Sequence, residues 1–158
     1  MKKYRIEIKW GFIFALMSLI WMILERITGL HDAHIDQHAT YTNFVAIPSI
    51  AIYVLGLLEK RKKFYGGKMT YGQGFITGLI ITGVITLLTP LTMWLTLAFI
   101  TPDFLENARI YAVEAGKMDQ EAAEGYFSQG NYMIQSIVGA PIMGILTSAI
   151  VAIFTRKK

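Results

Sequence analysis

The chain has no cysteine among its 158 residues, which excludes disulfides and thiolate metal sites. It is also poor in charge. Only 16% of residues are Asp, Glu, Lys or Arg, where a soluble domain carries about 25%. No stretch reads as a linker, so the length allows one domain, 1–158. The deficit in charge is matched by 54% hydrophobic residues and a mean hydropathy of +0.45, and together these point to lipid as the solvent. The net charge of +4 does not indicate a nucleic-acid partner. The basic residues sit in short blocks beside apolar runs, where they act as a topology signal and meet lipid headgroups. The first apolar run is longer than a signal-peptide core and no small-x-small cleavage site follows it, so a retained signal anchor is expected.

Four apolar runs are long enough to cross a bilayer, at about 10–29, 39–58, 72–100 and 132–154. The second contains Pro48. The third exceeds the hydrocarbon thickness, so it is expected to tilt, kink at Pro90 or project. The fourth contains Pro141. The fold class expected is therefore all-α, a four-transmembrane-helix bundle. A soluble bundle is disfavoured because these runs lack a polar face.

Lys and Arg number four before the first span, five in the 59–71 loop and three after the fourth span. The segments at the other end hold only Arg26, Arg109 and Lys117. The positive-inside rule then places both termini and the 59–71 loop in the cytoplasm. The loops at about 30–38 and 101–131 lie outside. In the second of these, Thr101-Pro102-Asp103 marks a helix start, with the helix covering about 103–115 and ending at Gly116. Asp119 is placed to cap another helix reaching about Ser128. A short helical hairpin over the outer mouth is expected.

The stretches His31-Asp32 through Ile35-Asp36, Tyr41-Thr42-Asn43-Phe44 with Ala46-Ile47-Pro48, Gly67-Lys68-Met69-Thr70-Tyr71-Gly72-Gln73-Gly74-Phe75 and Ser148-Ala149-Ile150-Val151-Ala152-Ile153-Phe154, in that order and spacing, resemble a bacterial membrane family, domain of unknown function 4199 (DUF4199). The resemblance covers nearly the whole chain. It implies a bacterial inner membrane, and it supplies no activity and no catalytic residues.

Four features bear on function. A small and threonine-rich face on the third span (Gly74, Gly78, Thr82, Thr86, Thr89, Thr92, Thr96) and one on the fourth (Ser136, Ala140, Gly144, Ser148) have the spacing of helix-packing surfaces. They are expected to pack the two spans together or to form a homo-oligomer; a polar path for a solute is the sharper alternative. The outer cluster His31, Asp32, His34, Asp36, His38 holds every histidine of the chain. If residues 34–38 are helical, His34 and His38 share a face at i and i+4, a spacing that can place two imidazoles on one Zn²⁺, with His31 and Asp36 as further ligands. Glu25 and Arg26 close the first span and are expected to snorkel to the interface; a Glu25 turned inward would be the nearest thing to an intramembrane carboxylate. The 59–63 run serves topology and attracts anionic headgroups, and the Gly66-Gly67-Lys68 stretch lacks the phosphate-loop spacing.

No catalytic arrangement emerges, so the chain is not expected to be an enzyme. The first expectation is an accessory or scaffold subunit in a larger membrane complex, with no resident cofactor. The others are a small transporter or channel, and a metal-binding envelope protein carrying zinc on the histidine cluster. The orientation makes a direct prediction: a compartment-specific reporter fused after Lys158 is active only as a cytoplasmic fusion.

Overall fold

The computed structural model describes residues 2–157; Lys158 of the basic tail lies outside them. After a 3-10 turn at Lys2–Tyr4, the helices are α1 Arg5–Ile27, α2 Ile35–Tyr41, α3 Ala46–Lys63, α4 Tyr71–Leu95, α5 Phe104–Glu114, α6 Gln120–Tyr126 and α7 Gln129–Thr155. A 3-10 turn at Thr42–Val45 joins α2 to α3, and a π-helical turn at Thr96–Ile100 extends α4. Four stretches are long and apolar enough to cross a membrane: Arg5–Ile27, Ile35–Lys63, Tyr71–Ile100 and Gln129–Thr155. Their outward faces carry bare apolar side chains, with Leu87 82% and Phe154 79% exposed, which only lipid would solvate without penalty. The chain is a multi-pass membrane protein.

The irregular turns have local causes. Pro48 has no N–H to offer the Phe44 carbonyl four residues back, and the helix tightens to 3-10 there. At the end of α4 the Thr101 amide donates to the Thr96 carbonyl, five residues back (2.8 Å), leaving other carbonyls of that turn to a side chain: Arg26 donates to those of Phe99 (3.4 Å) and Ile100. The third span therefore runs through Pro90, and its departure from α geometry begins only at Thr96.

α4 and α7 form the most extensive pairing, with α1 and α3 packed around them. Small residues permit the approach. A Cβ on Gly78 would lie 2.6 Å from the Ser148 Cβ, and one on Gly144 would lie 2.9 Å from the Tyr53 hydroxyl and closer still to Thr82. Ser148 donates to the Gly144 carbonyl (2.6 Å) and Thr82 to the Gly78 carbonyl (2.9 Å), so Tyr53 donates to Thr82 Oγ1 (2.8 Å). All three hydroxyl protons are thus used. The apolar core lies beside this junction: Tyr53, Leu57, Ile81, Ile85, Val151 and Ala152, with Met69 closing its end.

The chain's N-terminal segment, the loop after α3 and its C-terminal segment meet at one end of the bundle. Met69 and Lys157 pair as an antiparallel bridge, and Arg61 donates to the Thr155 carbonyl (2.8 Å). Lys60 departs from its basic block: it is buried, 2.7 Å from Glu7, donates to the Lys3 carbonyl and sits over the Phe64 ring. Removing either charge would strand the other in the interior, at a cost of about 3–5 kcal/mol.

The α4–α7 contact predicts an asymmetry between two glycines of one helix. Gly78→Ala should cost about 1–3 kcal/mol through overpacking. Gly83→Ala, with open space around it, should be neutral or gain up to about 1 kcal/mol from helix propensity. Unfolding midpoints in detergent micelles check both.

Candidate functional site

At the opposite end of the bundle from that bridge, one carboxylate faces two imidazoles. Glu25 is in the last two turns of α1 and is 2% exposed. Trp21, one turn earlier on the same face, donates from Nε1 to Glu25 Oε1 (2.6 Å). That leaves Oε2 free to face the histidines. The chain leaves α1 through Thr28 and turns at Gly29 in the left-handed region, φ +78°, which favours glycine. The Leu30 amide donates to the Glu25 carbonyl (2.9 Å), and the next residue, His31, folds back beneath the helix end. His31, also 2% exposed, donates from Nε2 to Glu25 Oε2 (3.0 Å). His38 comes from α2, with Nδ1 3.9 Å from the same oxygen.

The roof is aromatic. Phe104, the first residue of α5, is buried with its ring centroid 4.7 Å from that of His31, 4.9 Å from His38 and 5.9 Å from Tyr132. Asn107, one turn on, donates to the His31 carbonyl (2.9 Å). A cavity of about 90 Å³ lies against His31, lined also by Arg26, Asp32, Thr101, Asp103 and Asn107. Its volume is large enough to admit water.

The structure divides the sequence-derived ligand set. His31 and His38 converge. His34 and Asp36 are exposed and stay outside the group, because α2 begins at Ile35 and His34 occupies its cap position. The i, i+4 argument holds only for residues inside one helix. Glu25 takes the place these two leave: one ligating atom each from Glu25, His31 and His38 lies within 4.8 Å of the other two. Glu25 is therefore a correction to the snorkelling expectation, since burial beside Trp21 and His31 outweighs the interface. Arg26 stays exposed and caps carbonyls instead. The available signal was Trp21 at i−4, which places a donor on Glu25's own face.

Of the packing residues, Gly74, Gly78 and Thr82 of α4 are buried, as are Gly144 and Ser148 of α7; the would-be Cβ of Gly74 meets Ala152 at 3.3 Å. Thr86, Ser136 and Ala140 are half-buried. The Thr86 and Ser136 hydroxyls donate to the carbonyls of Thr82 and Tyr132 (2.9 Å each), four residues back. Thr89 and Thr92 likewise bond within α4, so the row from Thr82 to Thr92 turns its hydroxyl protons back onto its own helix.

The outer helices have separate caps. Asp119 accepts from the Ala122 amide (2.8 Å) at the start of α6, whereas Asp103 makes no side-chain cap at the start of α5. Phe104 holds α5 down instead. Phe104→Ala should therefore cost about 3 kcal/mol and raise amide exchange across 104–114 by roughly a hundredfold, measured by hydrogen–deuterium exchange; unchanged exchange would show that the anchor lies elsewhere.

Residues 9–157 match a family described as a protein of unknown function, DUF4199. No curated protein and no solved structure matches the chain.

Proposed function

The chain belongs to the DUF4199 family, proteins of unknown function, and from that premise and its own geometry we propose that it is a non-enzymatic accessory or scaffold protein of a bacterial inner membrane. Both termini are cytoplasmic in this reading, with α5 and α6 forming a hairpin on the outer side. The segments that gather at one end through the Met69–Lys157 bridge are those carrying the Lys and Arg excess, which supports that orientation.

The observation that carries the reading is the anchoring of the outer segment. Phe104 is buried among His31, His38 and Tyr132, so α5 is held against the bundle while Glu106, Glu114 and Glu121 stay exposed. A charged surface fixed on a membrane bundle suits docking to a second protein or to another copy of this chain. The transporter reading draws less support, because Thr82, Thr86 and Thr89 donate to carbonyls of their own helix, so these hydroxyls have no free proton to offer a solute.

Photo-crosslinkers placed singly at Glu106, Glu114 and Glu121 in living cells should each trap one discrete protein adduct, and none should form from Leu87 or Phe154. Adducts confined to the last two positions would move the contact to the lipid-facing helices. Absence of protein adducts everywhere, with solute flux in proteoliposomes that Thr86→Val abolishes, would replace the scaffold with a transporter.

A further inference from the structure

We infer that Glu25, His31 and His38 bind one divalent first-row transition ion, for which Zn²⁺ is the probe, and that this ion clips the end of α1 to α2 beneath Phe104. The inference stands apart from the scaffold reading and would survive its failure.

Zinc takes nitrogen and carboxylate oxygen ligands at about 2.0–2.2 Å, so a tetrahedral set places neighbouring donor atoms roughly 3.3–3.6 Å apart. Glu25 Oε2 is 3.0 Å from His31 Nε2 and 3.9 Å from His38 Nδ1. These two separations bracket the zinc value, and the two imidazole nitrogens, within 4.8 Å of each other, would draw together around the ion to complete the set.

His38 Nδ1 is buried, has no hydrogen-bond partner and is too far from Glu25 Oε2 to form a hydrogen bond. A buried nitrogen left unpaired beside a buried carboxylate is costly. A cation between them uses both lone pairs at once and neutralises the carboxylate. His31 Nδ1 is likewise buried and unpartnered. With Nε2 on a metal, Nδ1 would carry the proton, and a metal-bound imidazole needs an acceptor for that proton. The cavity that His31 lines, about 90 Å³, has room for a water to serve as one.

Trp21 fixes the carboxylate through Oε1, Asn107 fixes the His31 backbone, and Phe104 packs on both imidazoles. A ligand set held this way is pre-organised. Two imidazoles and one carboxylate suit zinc-class ions better than calcium or magnesium, which take all-oxygen shells. Three protein ligands leave the fourth position to water.

The test uses the full chain without an affinity tag, extracted in detergent and stripped with EDTA. Isothermal titration with Zn²⁺ should show one ion per chain, and Zn²⁺ should raise the unfolding midpoint. Glu25→Gln and His38→Ala should each weaken binding at least tenfold and abolish the rise in midpoint. His34→Ala and Asp36→Asn should bind as the wild type does. If Glu25→Gln fails to fold, the half-buried His38 decides alone: His38→Ala should melt near the wild type in EDTA and gain nothing from Zn²⁺. Three results would overturn the inference: no saturation at one ion per chain, affinity that survives Glu25→Gln or His38→Ala, and loss of affinity on His34→Ala.

Discussion

Lipid cannot hydrogen-bond, and this constraint organises every polar group within the bundle. Along the middle of α4 each threonine hydroxyl that faces inward returns its proton to its own helix, and Tyr53 spends its proton on Thr82. Charged side chains among the described residues are buried only near the two ends, each beside a partner: Glu7 with Lys60, Glu25 with Trp21 and His31. Among the described residues, the buried side-chain atoms left without a hydrogen-bond partner are Glu7 Oε2 and the Nδ1 atoms of His31 and His38. Two of these three belong to one site, which singles out that end of the molecule chemically.

The regular and irregular parts of the fold are distributed accordingly. The 3-10 turn before α3 and the π turn after α4 both occur at the end that holds Glu25. Each frees backbone groups that a straight helix would have consumed, and Arg26 takes up carbonyls from one of them. The opposite end is closed by longer-range ties, the Met69–Lys157 bridge and the Arg61 bond to Thr155. Both ends are thus tied by contacts between segments distant in sequence, and at the end that holds Glu25 one of these ties fastens onto an irregular turn.

The spans were legible in the sequence because a bilayer imposes length and composition on them. The small-residue faces of α4 and α7 were legible because close approach requires residues such as Gly78 and Ser148 at a spacing of four. The candidate site was legible only in part. His31 and His38 stood out as two of three histidines, but their partner did not, because a glutamate at the end of a span ordinarily reaches for water. Glu25 turns inward through tertiary structure: the chain reverses at Gly29 and Phe104 arrives from more than seventy residues away. Lys60 was hidden in the same way, one cation in a run of four whose inward direction depends on Glu7 of another helix. His34 misled because spacing was read across a helix boundary.

The two buried carboxylates also share a helix. Glu7 and Glu25 lie on α1 eighteen residues apart, about 27 Å along a helix axis, close to the thickness of a bilayer's hydrocarbon core of about 30 Å. Each is held by groups on other segments, Lys60 at one end and His31 at the other. α1 is therefore pinned at both ends and cannot slide along its neighbours. A thicker or thinner membrane must be met by tilting the bundle as one body, which makes the first helix an internal gauge of the bilayer in which the protein sits.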